Sequence, residues 1–380
     1  MKLSLMYELQ KQRPWLSEDN REVYPESIEQ IELADRLGYH TAWVVEHHFL
    51  PEFSHSPRPE IFLGYLAART KRIRLGHGVV VLPTQHPVRV AEGIATLDIL
   101  SGGRIEFGTG RGLSPLEMRS FGVDPADTRE MWEESLGMMK DIWKSEVFEH
   151  DGKFWKFPAR PVLPKPVQSP HPPMWMAGTQ PDSFRIAGEH GLGMIALNAG
   201  RPDRLKKVVG TYRDAIANAK PIGDFVNNKV ATMVMVHCGE DEAEAQELGA
   251  AAAKWYLGLG RRYSRDFSGS DEGAWGSYAP EDVPESYRWY AEMAKKGSDL
   301  KSTLATLSTE EMNEMAVVIA GTPAHCLEQL KAYEAVGIDE VLCLMQMGTI
   351  PHEKIMRSIE LIGTEVLPHF ANQPAELARS

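Results

Sequence analysis

IRLGHGVVVLPTQHPVRVAEGIATLDILSGGRIEFGTG, residues 73–110, decides the fold. Its first part, residues 73–83, is an apolar run of strand type. Residues 86–103 have a helical pattern and end in Gly102-Gly103. Residues 104–110 form a second short apolar run. A strand, a helix and a strand in this order bring the two strands together in parallel.

The same rhythm extends in both directions. Upstream, strand 2–7 precedes helix 25–38, where Pro25 suits a first turn and Gly38 a stop. Strand 41–46 precedes helix 59–70. Downstream, helix 128–144 sets Trp132, Leu136, Met139 and Trp143 on one face. A hairpin around Asp151-Gly152 and a proline-rich extended segment then interrupt the alternation. It resumes with strands 173–178, 192–197, 229–238 and 339–345. These are joined or followed by helices 181–190, 202–219, 241–258 and 351–367. Eight strands, most followed by a helix, predict an α/β protein with a single (β/α)8 TIM barrel over residues 1–380. An open doubly wound sheet is the alternative, but the first strand lacks the expected Gly-x-Gly-x-x-Gly turn. GTGRGL, residues 108–113, follows the fourth strand and leads into no immediate helix. Residues 260–305 break the rhythm. They are rich in Gly, Ser and charge, with Tyr263, Phe267 and Trp275 interspersed, and they predict a mobile lid over an apolar ligand.

The chain has 380 residues, 53 acidic and 41 basic, for a net charge of −12. That excess opposes a nucleic-acid partner. No signal-peptide pattern and no apolar run of membrane-spanning length is present. Cys238, Cys326 and Cys343 are far apart and suggest neither a disulfide framework nor a zinc knuckle. The expectation is a cytoplasmic protein.

In a barrel the C-terminal strand ends surround the active site. Strand 41–46 ends in Glu46-His47-His48, an expensive place for titratable groups without partners or a task. The third strand carries GHGVVVLP, the fourth ends in GTGRGL and the fifth in AGTQPDS. Pro181 can open a helix whose free N–H groups attract an anion, with hydroxyls from Thr179 and Ser183. Those hydroxyls also suit a plain helix cap. Arg111 lies among glycines that permit close ligand approach. The adjacent His47 and His48 point to opposite faces of an extended strand, so a shared metal is disfavoured. His77 and His86 keep a metal hydrolase as a rival, although His86, before Pro87, reads as structural.

EHHF after the second strand, VVLPTQHPVRVAE, ATLDILSGGRIEFGTGRG and AGTPAHCLEQLKAYEAVGIDEVLC occur in order. Together they resemble the bacterial luciferase-like flavin monooxygenases over roughly residues 2–370. The resemblance implies a homodimeric barrel that takes reduced FMN from a separate reductase. With O2 this forms a C4a-peroxyflavin, which oxygenates a small organic substrate. His47 matches the family's catalytic histidine, with Glu46 available to orient an imidazole or balance its charge. Gly78-Val79 match a strand tip beneath the flavin ring, where relatives have a non-proline cis peptide. Arg111 matches a phosphate-contacting arginine, and Gly178, Thr179 and Ser183 belong to the matching phosphate segment. Glu117 falls near an acidic position of luciferases, where it could hydrogen-bond the site, and reads equally as a solvated helix acid. Gly110 stands where the luciferase α subunit has a reactive cysteine, which counts against light emission from a long-chain aldehyde. An F420-dependent oxidoreductase on the same barrel and a non-catalytic flavin-binding relative are the alternatives.

Overall fold

The computed structural model describes residues 1–12, 21–197, 202–266, 283–288, 292, 307–314 and 317–370. Eight parallel strands form a closed ring: β1 (Lys2–Tyr7), β2 (Thr41–Val44), β3 (Arg74–Val81), β4 (Ile105–Gly110), β7 (Met174–Gly178), β8 (Gly193–Ala196), β9 (Val230–Cys238) and β11 (Glu340–Leu344). Pairing of β11 with β1 and of β8 with β9 closes it. This is the (β/α)8 barrel expected from the alternation. The second strand is shorter than its apolar run and stops at Val44, so Glu46, His47 and His48 lie on the loop beyond it.

The helices follow the same order: α1 (Val23–Leu37), α2 (Pro59–Arg69), α3 (Pro87–Ser101), α4 (Pro115–Ser120), α5 (Thr128–Lys144), α6 (Pro181–Glu189), α7 (Pro202–Ile216), α8 (Glu242–Asp266), α9 (Thr309–Glu314), α10 (Pro323–Ala335) and α11 (His352–Leu361). Gly38 ends α1 in the left-handed region at φ 91°, its N–H donating to the Ala34 carbonyl. The apolar face of α5 is buried through Trp132, Leu136, Met139 and Trp143. The interruption after α5 is the antiparallel hairpin β5 (Phe148–Asp151) and β6 (Lys156–Arg160). A short β10 (Ile319–Gly321) pairs with the end of β9 outside the ring.

The lower barrel is filled. Trp43 and Trp175 meet edge to face across it, with centroids 5.5 Å apart. The Trp43 indole donates to Glu340 at 2.9 Å and that of Trp175 to Glu106 at 2.7 Å. Ser4 also donates to Glu340, and Arg74 pairs with Glu106, so neither buried carboxylate is left without a partner.

Of the expected lid, α8 continues to Asp266, and residues 283–288 and 292 are described; the rest lies outside the described residues. Cys238, Cys326 and Cys343 are buried free thiols. No helix among the described residues is long and apolar enough to cross a membrane.

Candidate active site

The loop after β2 is held from two sides. The Glu117 carboxylate, on α4, lies 3.2 Å from His47 Nδ1 and accepts the His48 N–H at 2.7 Å. Its side chain is only 12% exposed, so the solvated helix-acid reading does not apply. Ser114 caps α4 by accepting the Glu117 N–H, which sets the start of this short helix. Burial alone would lower the His47 pKa; the carboxylates of Glu117, Glu8 and Glu46 outweigh it and raise the value above 6.5. The ring of Phe53 stands edge-on to His47 at 5.1 Å.

Glu46 is turned elsewhere. It accepts the Val81 N–H at 3.0 Å and the Gln85 side-chain amide at 2.8 Å, and lies 3.4 Å from His48 Nε2. It therefore anchors the end of β3 and contacts His48, while its influence on His47 is purely electrostatic. His48 packs on Phe121 at 4.7 Å. The two imidazoles thus have separate partners, although they lie on a loop and not on an extended strand.

Next along the rim, the Gly78-Val79 peptide is cis, as the resemblance implied, and the β3–β4 register shifts between His77 and Val80. A Cβ on Gly110 would lie 2.8 Å from Val79 Cγ2, so the absent side chain is what lets the two strand ends approach. His77 itself lines a cavity of about 430 Å³ with Glu46, Gln85 and His86, beside α2 and α3. Burial lowers its pKa to about 4, leaving it neutral. His86 packs on Trp155 at 5.1 Å. Among the described residues no group of three or more His, Cys, Asp or Glu side chains could hold a metal ion.

Arg111 follows β4, whose neighbour in the ring is β7. Its guanidinium lies 4.1 Å from the centre of the Tyr287 ring. Tyr287 is fully buried and bonded to Thr128 and the Gly112 carbonyl, which fixes it to this rim. Beyond β7, Gly178 and Thr179 lead into α6, with Pro181 at its first turn. A Cβ on Gly178 would lie 2.5 Å from Ser183 Cβ; glycine lets the first turn of α6 fold against the strand end. Gln180 Nε2 is buried with no hydrogen-bond partner among the described residues. Asp182, the acid of this turn, is drawn to Arg185 at 2.6 Å and Arg129 at 3.5 Å.

The family profile described as Luciferase-like monooxygenase matches residues 4–340. The chain belongs to that family. It is an oxidoreductase on the family's barrel. It is 27% identical to the oxygenase component of the flavin-dependent trigonelline monooxygenase of Acinetobacter baylyi, over 94% of this chain and 92% of that one. In fold it is similar to the oxygenating constituent of 3,6-diketocamphane monooxygenase of Pseudomonas putida, solved with FMN. There the TM-score is 0.74 at 24% identity, covering 97% and 98% of the two chains. The F420-dependent tetrahydromethanopterin reductase of Methanopyrus kandleri shares the fold at TM-score 0.66 and 22% identity, covering 97% and 100%.

Within this family barrel, consecutive strand ends along the ring order β1-β2-β3-β4-β7 carry Glu8, His47, Gly78-Val79, Gly110-Arg111 and Thr179–Ser183. The imidazole and the α6 start are three strand spacings apart, roughly 14 Å along the rim. The arc suits an elongated ligand with an anionic end at α6. A phosphate fits the orphaned Gln180 amide and the Arg111 cation. The sequence did not single out Glu8, Tyr256 or Tyr287. A signal for Glu8 was present in KLSLMYELQ, where a carboxylate follows an apolar strand as Glu46 does.

Proposed function

We propose that this protein is the oxygenase component of a two-component flavin monooxygenase. It takes reduced FMN from a separate reductase, uses O2, and places one oxygen atom on a small organic substrate. The carrying observation is the arc of strand ends, with the start of α6 and the buried Gln180 amide at one end and the His47–Glu117 pair at the other. Reduced FMN, when bound, supplies the electrons that activate O2. Arg111, Thr179, Gln180 and Ser183 would hold its phosphate. Gly78, Val79 and Gly110 shape the floor between. Glu117 fixes the Nδ1 side of His47, so the other ring nitrogen, Nε2, is the one that can hold or pass a proton. Glu46 positions the loop through β3 and His48. Support comes from the trigonelline relative, named as an oxygenase component, and from the FMN-bound structural neighbour. The homodimer rests on the resemblance; Ile61 and Tyr65 of α2 with Ile99 and Leu100 of α3 provide exposed apolar surface for it.

The test is a substrate screen with reduced FMN and O2, with hydrogen peroxide measured alongside product. His47→Ala should retain reduced FMN, lower product formation by about a hundredfold, and release more peroxide per flavin oxidised. His48→Ala should change coupling far less. Wild-type coupling in His47→Ala would remove His47 from the chemistry. The second reading, F420, is favoured by the reductase neighbour, and reduced F420 is the competing ligand in binding tests.

A further inference from the structure

Glu8 immediately follows β1, one strand along the ring from the His47 loop. The residue is only 4% exposed. Its carboxylate accepts from the Gln10 side-chain amide at 2.6 Å and the Tyr256 hydroxyl at 3.1 Å. Both donors are neutral, and among the described residues no arginine or lysine forms an ion pair with it. The cation it senses is His47. Tyr256 lies tilted against Phe53 with centroids 5.7 Å apart, and Phe53 meets His47 at 5.1 Å, so these aromatic rings connect the two groups. A buried carboxylate with neutral donors is costly to keep charged and gains little for the fold. At the mouth of a ligand site it is suited to exchanging protons.

We propose that Glu8 is a proton-exchanging residue of the flavin site, taking up a proton when reduced, anionic FMN enters beside His47 and releasing it when the ligand leaves. The proposal rests on the flavin reading of the site. The step forms one O–H bond on the carboxylate with a proton that the buffer acid gives up through water, leaving the buffer's conjugate base in solution, and no electron moves. The groups that bear on Glu8 are His47 from the β2 loop, Tyr256 from α8 and Gln10 from its own segment. Glu117 and Glu46 act through His47. Burial raises the Glu8 pKa to about 7, against the lowering influence of His47, Tyr256 and Gln10. A neighbouring anion raises it further.

The experiment is anaerobic calorimetry of reduced FMN binding at pH 7 in buffers of different ionisation enthalpy, with wild type and Glu8→Gln. About half of the Glu8 carboxyls are protonated at pH 7 before binding, given a pKa of about 7. Their share of proton uptake in wild type therefore approaches about half a proton per flavin. Glu8→Gln should lose that share while still binding FMN. Uptake unchanged in Glu8→Gln places the proton on another group and overturns the proposal. Absence of any reduced FMN binding in wild type is a different result and defeats the flavin reading itself. Infrared titration of the ligand-free wild type supplies a reading that needs no variant. A buried protonated-carboxyl band should fade through about pH 7 and strengthen at fixed pH when reduced FMN is added. A band that FMN leaves unchanged overturns the proposal.

Discussion

His47 is pulled in two directions. Burial favours the neutral imidazole, and the Glu117 carboxylate at 3.2 Å favours the cation strongly enough to win. Glu117→Gln keeps an acceptor for the His48 N–H but removes the charge. The His47 titration midpoint should then fall below the wild-type value, as read by NMR of the ring nitrogens; an unchanged or higher midpoint would show that Glu117 does not set it. The stability linkage has the matching sign. The raised folded-state pKa of His47 stabilises the fold below about pH 6.5, and that contribution is lost as pH rises through the folded value. Arg111 gives a second residue-scale prediction. A charge-assisted contact contributes roughly 1.5–3 kcal/mol, so Arg111→Ala should weaken FMN by about ten- to a hundredfold and leave riboflavin nearly unaffected. Equal losses for both ligands would place Arg111 away from the phosphate. At this scale the sequence exposed His47 and Arg111 because titratable groups at strand ends are conspicuous. Glu8 had the same signature but no neighbouring histidine to draw attention to it. That Glu46 accepts the Val81 N–H and Glu117 the His48 N–H could not be read, because both depend on how the β3 and α4 loops fold back on the β2 loop.

The element that matters most for an anionic ligand is the start of α6. Gly178 abuts Ser183, and a methyl group there, 2.5 Å from Ser183 Cβ, would displace the first turn. Gly178→Ala should weaken FMN by about tenfold or more, roughly 1.4 kcal/mol, while riboflavin binding changes little. Fluorescence titration with both ligands checks this, and full FMN affinity in Gly178→Ala would show that the turn does not hold the phosphate. The strand and helix alternation was legible because each element is long enough for its apolar period to repeat. The helix α4, six residues long, and the strand β10, three residues long, are too short to show one. Yet α4 carries Glu117, so one of the site's main contacts sits on an element that periodicity does not reveal.

Over the whole molecule, the ring closes through β1 with β11, from opposite ends of the chain, and neither half has a complete barrel. Chemical denaturation followed by tryptophan fluorescence and by far-ultraviolet circular dichroism should give coincident transitions; two separated transitions would contradict a single cooperative barrel. Glu8 adds a pH dependence to that stability. Its carboxyl pKa is about 7 folded against an ordinary 4.5, so its favourable contribution is present below about pH 4.5 and is lost as pH rises through 7. Glu8→Gln should therefore raise the melting temperature relative to wild type more at pH 8 than at pH 5. A difference independent of pH would mean that Glu8 ionises normally. Closure and the overall barrel were foreseeable from eight repeated units, whereas the interior pairing of Trp43 with Glu340 and Trp175 with Glu106 joins residues too distant in sequence to be inferred from pattern. The central claim is that this barrel mouth is built for reduced FMN. Anaerobic equilibrium titration of the protein with reduced FMN, reduced riboflavin and reduced F420 tests it most directly. Reduced FMN should bind at least tenfold more tightly than reduced riboflavin, the least that a phosphate contact of roughly 1.5 kcal/mol implies, and displace reduced F420. Tight binding of reduced F420 with none of FMN, or equal affinity for FMN and riboflavin, would contradict it.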